Sequence, residues 1–316
     1  MVKQVDPMCC PSSEELNEML LKAKHYTKYG TVAEYIPALK KANPQELSAA
    51  IYRPDGTHIS AGDIKQKITL QSISKVLTLA LALMDRGEPF VFHKVGYEPT
   101  GDPYHSILKL EISDPPKPLN PMINAGALAV THMIKGKTIE ERFQRILSLV
   151  QQLAGNPAIT YSQEVAESEF KTAFLNRSLC YYIKQQGIIT EDVEELIYLY
   201  TKQCAIELDC FDLARIGVVF AMDGVEPMTG KRLLPADVAR LCKTFMVTCG
   251  MYNASGEFAA KVGIPAKSGV SGGIMGAVPN RLGIGVFGPA LDDKGNSIAG
   301  IKLLEMLSAR YSLSMF

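Results

Sequence analysis

The sequence predicts an α/β protein of the α+β kind: a mainly antiparallel sheet built from both termini, flanked by helices, with an all-helical lobe inserted. Three observations carry this prediction. Short β-prone segments gather before residue 61 and after Phe258. The residues between them read as one helix after another. At the junction, Val76 to Met84 is apolar at every position but Thr78. A surface helix would show polar residues at a 3.6-residue period, and a membrane span takes about 20 apolar residues. This stretch is therefore a short helix buried on all sides. It sits at the seam of two lobes, residues 1–70 with 250–316 and residues 71–249, packed as one structural unit. Such a seam is a usual place for a pocket.

The elements follow in order. Ser12-Ser13-Glu14-Glu15 gives a capping box, and an amphipathic helix runs from it toward Gly30. Val32 to Pro37 is extended. Leu47 to Ile51 and Thr57 to Ser60 flank the turn Arg53-Pro54-Asp55-Gly56 and form a hairpin. The buried helix starts near Ser72 and stops at Asp85-Arg86-Gly87, where glycine takes the left-handed conformation. Residues 88–123 hold seven prolines and read as loop. Helices are predicted over Ala125–Lys135, Thr138–Leu153, Glu164–Gln186, Glu191–Gln203, Asp209–Met222 and Ala236–Cys249. Glycine-rich β segments follow at Lys261–Lys267, Gly273–Val278 and Leu282–Phe287. A turn at Asp292–Asn296 leads to a last helix, Ser297–Ser312.

Composition excludes several function classes. The 316 residues include 33 Lys+Arg and 33 Asp+Glu, so no long-range field draws in nucleic acid or an anionic membrane. Glu14, Glu15 and Glu18 break any signal-peptide core. The seven cysteines are odd in number, scattered and free of any Cys-x-x-Cys, which suits reduced thiols in the cytoplasm. Adjacent Cys9-Cys10 suits a frayed tail as well as a metal. The five histidines show no ligand spacing, and no metal site is predicted.

Chemistry is suggested first by Ser72 and Lys75. Three apart on a helix, they lie about 60° apart in azimuth and one turn apart in height. Desolvation among apolar neighbours lowers the proton affinity of a lysine, which can then take a serine proton. The helix N-terminus favours negative charge near that serine. The same pair also suits a bland role, Ser72 as an N-cap and Lys75 snorkelling. Two further Ser-x-x-Lys runs, Ser106 to Lys109 and Ser168 to Lys171, do not open a buried helix.

Three other stretches stand out. Asn124, in Asn-Pro-Met-Ile-Asn-Ala-Gly-Ala from Asn120, suits a helix cap. Glu169 and Asn176 are seven apart, two helical turns, and so face one side; that side is either solvated or, beside Phe170 and Phe174, partly buried. Finally, Lys267-Ser268-Gly269 on a strand resembles the Lys-Thr-Gly that accompanies Ser-x-x-Lys enzymes. Gly269 would let a ligand approach the backbone, and the N–H groups of Ser72 and Val270 would form an oxyanion hole. In this order, at opposite ends of the chain, these residues point to a serine hydrolase. Gly269 to Gly273 lacks the lysine spacing of a phosphate loop.

Assembled, the motifs resemble the serine-dependent glutaminases. The resemblance spans about Tyr35 to Ser308 and rests on Tyr35-Ile36-Pro37, Gln71 to Lys75, Asn120 to Ala127, Asn176 with Tyr181-Tyr182, Cys249 to Tyr252, and Ala266 to Gly273. It implies a β-lactamase or DD-peptidase-like fold. It also implies hydrolysis of L-glutamine to glutamate and ammonia through a serine acyl-enzyme, without cofactor, in a homodimer or homotetramer. By motif position Ser72 is the nucleophile, Lys75 activates it and Tyr252 assists proton transfer. Tyr35 lines the nucleophile, and Gln71 supports it. Asn124, Glu169, Asn176 and Tyr200 hold the substrate's amino and carboxylate groups, and Val270 binds through its backbone. The animal enzymes carry an N-terminal region and ankyrin repeats; this chain matches the compact bacterial type. The match is poor from Phe170 to Leu175 and weak around Tyr200. Two rival readings are a β-lactamase or penicillin-binding hydrolase, which lacks its Ser-Asp-Asn here, and a non-catalytic amino-acid sensor, which has no need of Ser72, Lys75 and Tyr252 together.

Overall fold

The computed structural model describes residues 10–112 and 116–316. The expectations placed on Cys9, Pro115 and the Lys109 side chain fall outside the described residues.

Helix α1 (Ser13–Lys24) opens on the expected capping box: Ser12 Oγ accepts from Glu15 N at 3.1 Å, and Ser12 N donates to Glu15 Oε2 at 2.9 Å. It stops short of Gly30, and a 3₁₀ turn, Thr27–Tyr29, follows. Residues 32–37 form no strand. Ile36 is instead buried against Val165 and Ala166, which bends the segment over the helical lobe. The hairpin is present as β1 (Ser48–Tyr52) and β2 (His58–Ala61), paired from Ala49↔Ala61 to Tyr52↔His58.

A two-residue strand, β3 (Ile68–Thr69), leads into the buried helix α2 (Ser74–Arg86), whose residues 74–83 are all buried. The proline-rich region is not all loop. It contains α3 (Glu88–Lys94), where Pro89 takes an early position that needs no N–H, and α4 (Leu108–Ile112). Helices α5 (Asn124–Met133) and α6 (Ile139–Ala154) precede β4 (Thr160–Tyr161). The expected helix Glu164–Gln186 is two helices, α7 (Gln163–Thr172) and α8 (Phe174–Gln185), broken at Ala173. Then come α9 (Val193–Cys204), β5 (Ile206–Leu208), α10 (Cys210–Ala221), α11 (Ala236–Cys249) and α12 (Ser255–Lys261). Strands β6 (Ala266–Ser268), β7 (Gly273–Val278) and β8 (Leu282–Phe287) and helix α13 (Ile298–Tyr311) complete the chain.

The main sheet is antiparallel, in the order β2-β1-β8-β7-β6, so both ends of the chain do build it. Its alternation separates two cores. Ala50, Tyr52, Met275 and Ala277 face the helical side, while Ala49, Ile51, Ile274 and Ile284 face α1 and α13. Helix α10 lies on β8, β7 and β1. The middle of the chain is not purely helical, because β3-β5-β4 forms a second, three-stranded sheet. Strands of two or three residues carry no period to read. No helix among the described residues is long and apolar enough to cross a membrane.

Candidate active site

Ser72 lies in a 3₁₀ turn, Gln71–Ile73, in front of α2. It does not cap that helix: the N-cap is Ile73, without a side-chain bond. The turn is pinned from two sides. Leu70 N donates to Ile206 O of β5 at 2.9 Å, and Ser271 Oγ donates to Thr69 O at 2.7 Å. Gly269, at the end of β6, presses on the same turn; a Cβ there would lie 2.6 Å from Leu70 O. The missing side chain thus admits the segment that carries Ser72, where the sequence suggested a ligand.

Two residues of this site hold left-handed backbone although neither is glycine: Gln71 at φ 47° and Tyr252 at φ 53°. Each such conformation costs about 1–2 kcal/mol, and strain of this kind gathers at functional sites. Serine hydroxyls brace both. Ser74 Oγ donates to Gln71 O at 2.7 Å, and Ser255 Oγ donates to Tyr252 O at 2.8 Å.

Lys75 is 1% exposed. Its Nζ donates to Asn124 Oδ1 at 2.6 Å and to Met122 O at 3.1 Å, and no hydrogen bond joins it to Ser72. Burial pushes its pKa down to about 8. A second buried lysine, Lys267, donates to Ser268 O at 2.7 Å and lies 4.5 Å from the centre of the Tyr252 ring. Burial, then the nearby Lys75 charge, hold its pKa well below the ordinary value. Tyr252 Oη is buried without a hydrogen-bond partner. Burial raises its pKa, while the Ser72 hydroxyl is close enough to oppose that rise. The phenol is therefore neutral and next to the serine.

A cavity of about 420 Å³ opens beside Ser72. Tyr35, Gln71, Ser72, Asn124, Glu169, Asn176, Tyr200 and Val270 all line it, whereas Lys75 and Tyr252 stand behind its wall. Tyr35 is at the mouth, 56% exposed, and Tyr200 is buried at the back. Asn124 is not a cap; it is the first residue of α5, and its Nδ2 donates to Asn176 Oδ1 at 2.9 Å. Glu169 and Asn176 do not share a helix, since the break at Ala173 separates them, yet both reach the cavity. Glu169 is buried, and its Oε2 has no hydrogen-bond partner. Burial pushes its pKa up to about 7, opposed by Gln71 and by the Lys75 charge. Ser168, by contrast, is spent on the Ala38 N–H at 3.2 Å.

Sequence reasoning passed over Tyr104, His105 and Cys204, which line the cavity too. The Tyr104 ring also lies tilted at 37° to that of Tyr252, centres 4.6 Å apart, and its centre is 5.9 Å from Lys75 Nζ. Its signal was an aromatic in a proline-rich loop, a weak one. Among the described residues, no group of three or more His, Cys, Asp or Glu side chains is placed to hold a metal.

The arrangement joins a hydroxyl, a lysine of lowered proton affinity, a neutral phenol and a carboxyl group with one unpartnered oxygen around one cavity. Comparison with known proteins shows the family. The glutaminase family profile matches residues 30–316. A glutaminase from Geobacillus thermodenitrificans (strain NG80-2) is 69% identical over 305 residues, covering 96% of this chain and 99% of the relative. Glutaminase 2 of Bacillus subtilis (strain 168) is 61% identical over 309 residues, covering 98% of this chain and all of the relative, 100%. Among solved structures, a probable glutaminase from Bacillus subtilis complexed with 6-diazo-5-oxo-L-norleucine superposes with a TM-score of 0.89 at 42% identity, covering 96% of this chain and 97% of that one. A Bacillus subtilis glutaminase in covalent complex with 5-oxo-L-norleucine, formed by reaction with the same compound, gives 0.87 at 41% identity, covering 96% and 99%. With a matching profile over nearly its whole length and relatives this similar, the chain belongs to the glutaminase family.

Proposed function

We propose that the chain hydrolyses the side-chain amide of L-glutamine to L-glutamate and ammonia through an acyl-enzyme on Ser72. The observation that carries this reading is the unpartnered Glu169 Oε2, buried in a cavity that also holds Ser72 and the Asn124–Asn176 pair. A buried carboxylate with a free oxygen suits an ammonium. Amide groups beside it suit a carboxylate. Together they fix the α-carbon of an amino acid at one end of the cavity, with Ser72 left for its side chain.

In this reading neutral Lys75 takes the Ser72 proton, and Ser72 Oγ attacks the amide carbon. The N–H groups of Ser72 and Val270 stabilise the oxyanion. The neutral Tyr252 phenol passes a proton to the departing nitrogen, and water then cleaves the ester. Tyr35 and Gln71 shape the site, and Tyr200 closes the α-group end. No cofactor enters, and neither nucleic acid nor membrane is a partner. The reading includes a homodimer or homotetramer in the cytoplasm; the free, mostly buried cysteines support the compartment.

The test is glutamate release from glutamine and from asparagine. Asparagine is one methylene shorter and cannot reach Ser72 while keeping its α-groups in place, and a misplacement of about 1 Å costs roughly 10²-fold. Glutamine hydrolysis at least that much faster is expected. Equal kcat/KM for both would replace this reading with a loose amidase.

A further inference from the structure

A second cavity, of about 480 Å³, adjoins the first. Val32, Ala33, Glu34, Pro103, Leu291 and the Asp292–Gly295 turn line it, and Tyr35, Tyr104, His105 and Val270 line both cavities. The wall residues fall in an order. Glu169, Asn124, Asn176 and Tyr200 border the first cavity alone, Val270 borders both, and the 291–295 turn borders the second alone. A glutamine whose ammonium meets Glu169 and whose amide carbon meets Ser72 has its amide nitrogen at the end farthest from Glu169. In the reading above that nitrogen takes its proton from Tyr252, and the Tyr252 ring packs with Ala33, Val270 and Leu291 of the second cavity's wall. The leaving group of glutamine is a single nitrogen, and one water's share of liquid volume is about 30 Å³. The adjoining space is far larger than ammonia needs.

We propose that the second cavity is a subsite for a substituent on the amide nitrogen. The enzyme then also hydrolyses γ-glutamyl amides of small primary amines, cationic amines best. This rests on the glutamine reading above. The reaction balances in the same way: the Ser72 oxygen bonds to the amide carbon, the carbon–nitrogen bond breaks, the nitrogen takes a proton and leaves as the amine, and water cleaves the ester. The preference for cations comes from the wall. Glu34, Asp292 and Asp293 stand against one lysine, Lys294, with His105 the remaining titratable side chain besides the tyrosines. Lys294 Nζ lies 3.7 Å from Glu257, and Glu34 lies 3.4 Å from Lys40. Asp292 Oδ1 is occupied by the N–H groups of Lys294 and Asn296. The wall keeps a net negative charge.

The experiment uses the full chain and four substrates: L-glutamine, and L-glutamine bearing an aminoethyl, a propyl or a carboxymethyl group on its side-chain nitrogen. Glutamate release should rank aminoethyl above propyl above carboxymethyl. Val32→Trp fills the second cavity alone and should lower kcat/KM for the aminoethyl substrate by about tenfold or more, while glutamine stays within about twofold. Asp293→Lys, on an exposed turn, should erase the aminoethyl preference even where the tryptophan variant folds poorly. Glutamine hydrolysis with none of the substituted amides cleaved overturns the subsite. So does a Val32→Trp variant that melts as the wild type does and yet slows all substrates alike. Absence of glutamine hydrolysis itself overturns both this proposal and the reading beneath it.

Discussion

Lys75 Nζ donates to Asn124 Oδ1 across 2.6 Å, and Asn124 Nδ2 donates to Asn176 Oδ1 across 2.9 Å. One asparagine thus ties the lysine behind the serine to Asn176 on the cavity wall. The link sets a testable charge. Asn124→Asp places a carboxylate beside the ammonium and favours the charged lysine. The pH at which kcat rises should move upward, and every pH unit that it moves lowers the rate at neutral pH about tenfold. A rate profile that keeps its position would show that Lys75 is not the titrating base.

The wild-type profile follows from two groups. In the proposed mechanism Lys75, at about 8, loses its proton to act, and Glu169, at about 7, loses its proton to hold an ammonium. Both requirements run in the same direction. The expected kcat/KM of the free enzyme therefore rises steeply with pH through 7 to 8, with the acid limb steeper than one proton gives. A plateau reaching down to pH 6 would exclude both assignments.

Glu169 also makes a stability prediction. Its folded pKa is raised from the ordinary 4.5 to about 7. The fold therefore favours the neutral acid, and stability is lost as pH rises from 4.5 through 7, remaining low above that. Glu169→Gln removes the buried charge and should stabilise the free enzyme at pH 8 by on the order of 1–3 kcal/mol. The same change should weaken glutamine binding, since a desolvated ion pair is worth about 2–5 kcal/mol more than its truncated form. Thermal melting and KM, measured together, check the two signs. A variant that melts lower and binds unchanged would contradict the placement of this carboxylate.

Tyr252→Phe separates chemistry from folding in another way. The hydroxyl it removes is buried and unpartnered, so its loss should cost little stability, within about 1 kcal/mol. Proton transfer by a positioned group contributes roughly 10²–10⁴-fold. The expected variant folds, binds glutamine and turns over slowly. Wild-type kcat would remove Tyr252 from the mechanism.

Much of this was legible in the sequence, for physical reasons that also mark where reading stopped. Strands Gly273–Val278 and Leu282–Phe287 and helix Ala236–Cys249 lie where the pattern put them. Each is long enough for side-chain periodicity to outweigh local accident. The cavity residues came from motifs. The burial of the helix that carries Lys75, and with it the lowered proton affinity of that lysine, was readable from the apolar run, whereas the pattern leaves the burial of Glu169 open. Spacing put Glu169 and Asn176 on one helix, and the fold brings them together across a break at Ala173 instead. Asn124 had the composition of a cap, and only the tertiary position of Lys75 reveals its other partner. Tyr104 escaped because its neighbours in the cavity come from six other segments of the chain. The second sheet escaped because Ile68–Thr69 and Thr160–Tyr161 acquire strand geometry only by pairing with β5.

The decisive prediction concerns Ser72. If its oxygen forms the acyl-enzyme, a glutamine-shaped diazoketone should alkylate it, since the reagent carries the α-groups to Glu169 and Asn124 and its reactive carbon to the serine. Two solved relatives are described in complexes with such a compound, one of them covalent. Peptide mass mapping should place the adduct between Gln71 and Lys75. Ser72→Ala removes one oxygen that makes no helix cap, so the fold should lose less than the roughly 1 kcal/mol of a missing cap. Adduct and activity should vanish together while the melting temperature holds. Two other nucleophiles supply the internal control. Cys204 lines the same cavity, but burial holds its thiol well above the ordinary range, so it carries almost no thiolate. Ser268 Oγ is buried without a partner beside Lys267, and it does not line the cavity. Either residue would be labelled only if the reagent entered by a different route or bound in a different direction. An adduct on Ser268 or Cys204 would therefore overturn the orientation of the substrate as well as the identity of the nucleophile.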